Sequence, residues 1–197
     1  EGPDGKGKST VAKKLYNHLK QNGVKCVLTR EPGGTEIAEK IREIILDNDN
    51  EEMDAMTEAL LYAAARAQHV GEKIEPLLEQ GYLVITDRYV LSSLAYQGHA
   101  RGLGIDKVME INKHAMGGLY PDKVLFFDVS PEVALSRKFI NREGDRLENE
   151  GSDFHNTTYE GYQLAIERYS GNVVKINAVG TVQENLERCI EALGELD

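Results

Sequence analysis

Residues 1–10 read EGPDGKGKST. From Gly2 to Ser9 they satisfy GxxxxGKS, a loop whose backbone N–H groups wrap a nucleotide's phosphates while its lysine reaches the β and γ oxygens and its hydroxyl meets Mg²⁺. Gly2, Pro3, Asp4, Gly5, Lys6, Gly7, Lys8, Ser9 and the adjoining Thr10 are thus candidates for binding nucleotide phosphates, with Ser9 as a metal ligand. Such a loop joins a strand to a helix. The helix is expected over residues 10–22, where apolar side chains recur at helical spacing and Gly23 supplies a stop. The strand is not in the sequence. In folds of this kind it lies inside a parallel sheet, buried on both faces, so the expectation is that residues upstream of Glu1 exist in the gene product.

The chain has 197 residues, 41% of them apolar, enough for one domain with a buried core and too few for two large ones. Residues 1–197 are therefore read as a single domain. A net charge of −10 argues against gripping a nucleic acid polymer through its phosphates, which requires clustered Lys and Arg, yet leaves room for a nucleotide in a local basic pocket. Cys26 and Cys189 show neither CxxC spacing nor a nearby His cluster, so two buried thiols are expected. No apolar run approaches the roughly 18 residues of a membrane span. The expected location is cytoplasmic.

Short β-rich runs at 25–30, 82–86, 123–129 and 172–177 alternate with helical patterns, the signature of βαβ units building a parallel sheet with helices on both faces, an α/β fold. The helical patterns lie near 37–46, 57–80, 105–116, 131–140, 154–169 and 182–196. Pro76 should kink or divide the second of them, and Gly81 and Gly117-Gly118 stand where helix stops belong. Residues 141–152, NREGDRLENEGS, are polar, charged and punctuated by glycine between two helical patterns. They are read as a mobile lid, because arginines that arrive on closure serve phosphoryl transfer.

Two further segments follow strands, where α/β sheets bind ligands. Asp87-Arg88-Tyr89 offers a carboxylate for Mg²⁺ and a guanidinium that clamps phosphate. REPGGT at 30–35 offers glycines that let backbone approach a ligand closely.

Taken in order, EGPDGKGKST, TREPGGT (29–35), TEALLYAAARAQH (57–69), DRYVLSSLAYQG (87–98) and DRLE (145–148) resemble the thymidylate kinases over nearly the whole chain. The resemblance implies a P-loop kinase fold with a five-stranded parallel sheet flanked by helices, a lid, ATP and Mg²⁺ as cofactors, phosphorylation of dTMP to dTDP, and a homodimer. It matches Tyr62 to a ring stacked on thymine and Arg66 to a donor at O4, where cytosine would present an opposing donor. Gln97, with Ser93 nearby, matches the group that meets N3; Tyr96 matches the residue against the sugar 2′ position. Asp4 matches the acceptor for the 3′-OH, and Arg42, Arg88 and Glu31 match the phosphate side.

The dTMP phosphate oxygen is already an anionic nucleophile, so the chemistry needs positioning and charge neutralisation rather than a general base. Lys8, Mg²⁺ near Ser9 and Asp87, Arg88 and a lid arginine would supply that charge, with Arg142 the choice for the lid and Arg137 and Arg146 as reserves beside ATP. Lys6 departs from the family pattern of a small residue at its position, and is either an added cation near the phosphates or a solvent-facing lysine. A kinase for another pyrimidine nucleotide or a deoxynucleoside, a P-loop nucleotide switch, and an inactive remnant lacking its first strand remain open at this point. A switch would have no reason to build the second, base-shaped pocket that Tyr62 and Arg66 suggest.

Overall fold

A computed structural model describes residues 1–3, 7–130, 133 and 144–194. Its elements run α1 (Lys8–Gln21), β1 (Cys26–Arg30), α2 (Glu36–Leu46), α3 (Ala55–His69), α4 (Glu75–Glu79), β2 (Leu83–Asp87) and α5 (Val90–Ser93), then α6 (Ile105–Met116), β3 (Val124–Asp128), α7 (Ser152–Arg168), β4 (Val173–Asn177) and α8 (Val182–Leu193). The helix expected over 131–140 lies outside the described residues save for Val133.

Among the described residues the strands form two parallel pairs, β1 with β2 and β3 with β4, in registers that set Cys26 opposite Leu83 and Val124 opposite Val173. Glu1 lies between the pairs. Its backbone nitrogen donates to Leu125 O at 3.0 Å and Phe127 N–H donates to its carbonyl at 2.9 Å, while its carboxylate accepts from Tyr89 N–H, just beyond β2, at 2.7 Å. Alternation along β3 explains why helices cover both faces: Val124 and Phe126 enter one core, with α6, α7 and the segment after β2, whereas Leu125 and Phe127 enter the other, with α1 and α8.

Helix ends follow from local chemistry. Thr35 caps α2, Asp54 caps α3, and Thr181 with Glu184 forms a reciprocal capping box at α8. The helix expected over 57–80 is divided: α3 ends at His69, a wider π turn spans Val70–Ile74, and Pro76 sits in the first turn of α4, where its missing N–H costs no hydrogen bond. The pattern over 182–196 ends at Leu193, before Gly194 at φ 72°.

One helical segment was not anticipated. Val90–Ser93 and the π turn Leu94–Ala100 wind a continuous element through the middle of the molecule, with every residue from Val90 to Gly98 buried. A helix covered on all sides has no polar face, and so no amphipathic period to betray it.

Candidate active site

The loop that opens the chain delivers its lysine to the interior. Gly7 adopts a left-handed conformation (φ 70°) ahead of α1, and Lys8, the first helical residue, is 7% exposed with Nζ donating to Pro3 O at 2.8 Å. Gly2 runs so close to β3 that a Cβ there would lie 2.9 Å from Phe127 O. Ser9 donates its hydroxyl to Asp87 Oδ2 at 2.5 Å, tying the start of α1 to the end of β2. Burial works against the ionised Asp87, but the Lys8 ammonium, the Ser9 hydroxyl and Arg88 outweigh it and hold the carboxyl below its ordinary range.

Arg88 takes a positive φ of 72° and turns its guanidinium to Ser92 Oγ at 3.0 Å and Tyr162 OH at 2.9 Å, over the Tyr96 ring. Across from it, Arg30 and Arg42 both donate to the carbonyl of Pro32, at 2.6 and 3.0 Å. Burial lowers the pKa of Arg42, and the neighbouring charge of Arg30 lowers it further. A carbonyl receiving two guanidiniums marks a spot where an anion would be stabilised.

Behind these groups lies a buried polar network. Glu31 Oε2 accepts from Arg66 Nε at 2.8 Å, and its other oxygen meets His69 Nδ1 at 3.1 Å; His69 Nε2 meets Thr29 Oγ1 at 2.8 Å. Arg66 Nη1 also donates to Ser93 Oγ at 3.1 Å and to Asn112 Oδ1, while Asn112 donates to Val108 O at 2.8 Å. Arg66 on α3, 2% exposed, is thereby held by Glu31 beyond β1, Ser93 of α5 and Asn112 of α6, with its guanidinium 5.2 Å from the Tyr89 ring centroid.

These parts enclose one cavity of ≈ 210 Å³. Its lining joins a cationic group, Lys8, Arg30, Arg42 and Arg88 with Ser9 and Asp87, to an aromatic and amide group, Tyr62, Tyr96 and Gln97 with Ser93 and Glu31, and the two meet where Arg88 lies over the Tyr96 ring. A basic end joined to an aromatic, amide-bearing end suits a nucleotide.

Comparison with known proteins shows the family. The profile of the thymidylate kinase family matches residues 1–189. The chain belongs to the thymidylate kinase family. It is 51% identical over 193 residues to the thymidylate kinase of Finegoldia magna, covering 98% of this chain and 95% of that relative. To the thymidylate kinases of Clostridium novyi and a Geobacillus species it is 49% identical, covering 95% and 98% of this chain and 92% and 93% of theirs.

In this member of the thymidylate kinase family, ten of the 16 described residues singled out from the sequence line the cavity. Arg66 stands behind the lining through its bonds to Glu31 and Ser93. Thr10 is exposed on α1. Arg146, a reserve for ATP, is 6% exposed and donates to Ile45 O at 2.9 Å and to Oε2 of the fully buried Glu58 at 2.7 Å. Asp4, Gly5, Lys6, Arg137 and Arg142 lie outside the described residues. Of the segment read as a lid, residues 144–150 form turns that place Asp145, Leu147 and Glu148 against the cavity.

Sequence reasoning missed Asn112, His69, Tyr162 and Glu58. Each reaches the site through a partner 38 or more positions away, a relation that no local spacing records. A buried-network role for Glu58 had one clue, a carboxylate at the head of the otherwise apolar run from Ala59 to Ala65.

Proposed function

We infer that the chain transfers the γ-phosphoryl group of ATP to the 5′-phosphate of dTMP, giving dTDP and ADP. The observation that carries this is the cavity's polarity: cations from the P-loop, α2 and the DRY turn at one end, a ring and an amide at the other. A phosphate oxygen of dTMP attacks the γ phosphorus while the bond to the β,γ-bridging oxygen breaks, and that oxygen's electrons leave with ADP. Lys8 exchanges the Pro3 carbonyl for β and γ oxygens. Arg42 exchanges the Pro32 carbonyl for the dTMP phosphate, which Arg88 holds from the opposite side.

Tyr62 would stack on the base and Tyr96 would crowd a 2′-hydroxyl. Arg66, whose five N–H groups exceed its three partners here, would donate to O4, and Gln97 beside Ser93 would accept from N3–H. The Ser9 hydroxyl and an ionised Asp87 are hard oxygen donors suited to Mg²⁺, directly or through water, and Mg²⁺ would neutralise charge on the bridging phosphates. A lid arginine, Arg142 or its reserve Arg137, would complete the charge.

The same reading includes a single domain, a homodimer and a cytoplasmic location. Support for the dimer comes from Ile37 and Ile44 on α2 and Leu60 on α3, each about half exposed, which a second copy would cover. Burial pushes the Cys189 thiol up to about 11 and raises that of Cys26, so both suit a reducing compartment as inert thiols. No helix among the described residues is long and apolar enough to cross a membrane.

The test is ADP release with ATP and Mg²⁺ in the presence of dTMP, dUMP, dCMP or TMP. Strong dependence on dTMP, weaker on dUMP and near background for dCMP is expected. Equal response to all four overturns the assignment.

A further inference from the structure

Glu58 lies on α3, one turn before Tyr62 and two before Arg66, and none of its surface reaches solvent. A lone carboxylate in that position would be strongly disfavoured, so its partners matter. Arg146 Nη2 donates to Oε2 at 2.7 Å and Arg101 Nη2 to the same oxygen at 3.2 Å. Arg101 Nε donates to Oε1 at 3.3 Å, and the fourth donor is the amide of Gln97, Nε2 to Oε1 at 2.8 Å. Two guanidiniums thus donate to both of its oxygens, and a carboxylate so paired can only accept.

That constraint passes to Gln97. Its side-chain amide is 1% exposed and lines the cavity. With the NH₂ end drawn to Glu58, the carbonyl end is the one left to face a ligand. The amide's orientation follows from the chemistry of its neighbour, since turning it over would set a carbonyl against a carboxylate. Gln97 therefore presents an acceptor, which favours a base edge bearing an N–H, as in thymine or uracil, and opposes the unprotonated ring nitrogen of cytosine.

We infer that Glu58 is a positioning and specificity-determining residue: anchored by Arg101 and Arg146, it fixes the Gln97 amide so that an acceptor meets the base. The inference rests on the proposed dTMP kinase reading. It also links the 144–150 segment to base selection, because Arg146 shares the carboxylate with Gln97 and its neighbours Asp145 and Leu147 line the cavity. Arg101 is itself held, paired with Glu150 at 2.6 Å and packed 4.5 Å from the Phe154 ring centroid, so the anchor is braced from α7 as well.

The experiment is a double-mutant cycle in the full chain with Glu58→Gln, Gln97→Ala and both together, reading kcat/KM for dTMP and dCMP. A glutamine at 58 can donate as well as accept, which releases the Gln97 amide to turn over. Glu58→Gln is expected to narrow the dTMP to dCMP ratio by about tenfold, the scale of one directional hydrogen bond, and to add little in the Gln97→Ala background. An unchanged ratio in folded Glu58→Gln, or a loss that is additive with Gln97→Ala, overturns the inference. Should Glu58→Gln not fold, Glu58→Asp keeps the charge but draws the carboxylate back from Gln97; a narrowing of about threefold is expected, and no narrowing overturns the inference equally. Wild-type protein inactive on dTMP would instead defeat the underlying kinase reading, and so the two failures are distinguishable.

Discussion

The two ends of the cavity are built on opposite plans. At the base end, Arg66 is committed before any ligand arrives, to Glu31, Ser93 and Asn112, and Glu31 is in turn shared with His69. At the phosphate end, Lys8 donates to the Pro3 carbonyl and Arg42 to that of Pro32. A carbonyl is a neutral partner that a cation exchanges readily for phosphate, since a charged acceptor adds Coulomb attraction to the hydrogen bond. One end is rigid because it must tell bases apart; the other holds its charges ready because phosphates carry little shape but much charge.

This contrast predicts separable consequences. Arg66→Met should act first on stability: it strands Glu31 with only His69 as a buried partner, at an expected cost of about 3 kcal/mol or more in denaturant unfolding. Adding Glu31→Leu to Arg66→Met should recover most of that stability while dTMP turnover stays lost. Recovery of activity along with stability would mean that the base end is only scaffolding.

Lys8→Met should do the reverse. Its loss removes a bond to a neutral carbonyl and one of the charges that favour ionised Asp87, so unfolding should shift by about 1–2 kcal/mol, less than for Arg66→Met, whereas turnover should fall by about 10²–10³-fold. Steady-state rates and unfolding midpoints on the same preparation check both halves. A large stability loss would show that the lysine is part of the frame and not held in reserve.

The same division explains what the sequence made legible. The phosphate end is legible motif by motif: GxxxxGKS, REPGGT and DRY each place their own groups by short-range turn geometry, and the fold then brings Ser9 to Asp87 across 78 positions. Pro76 and Gly117 likewise announced where helices divide or stop. The base end is written in tertiary contacts. His69 touches Glu31 across 38 positions and Asn112 touches Arg66 across 46, so these residues read as ordinary helix surface until the fold closes. The segment Val90–Ala100 carries Ser93, Tyr96 and Gln97, yet its burial on all sides erased the period by which a helix is recognised. Family resemblance supplied those residues; periodicity did not.

The smallest effect sharpens the boundary between the two ends. Asp87 is the carboxylate among the phosphate-end cations, and Lys8, Ser9 and Arg88 together depress its pKa in spite of burial. A carboxyl whose pKa is lower folded than unfolded binds fewer protons in the native state, so its contribution to stability is complete above the unfolded value of about 3.9 and is lost as pH falls through the lower folded value. Asp87→Asn removes that contribution at neutral pH. The difference in unfolding free energy between wild type and Asp87→Asn should therefore hold level above about pH 5 and shrink below about pH 4. A difference that keeps one size across that range would mean the Lys8–Asp87 pairing has no net energetic weight in the free protein. The cations of the phosphate end would then be held by the neutral carbonyls of Pro3 and Pro32 and the hydroxyls of Ser92 and Tyr162, which is the contrast with the base end in its strongest form.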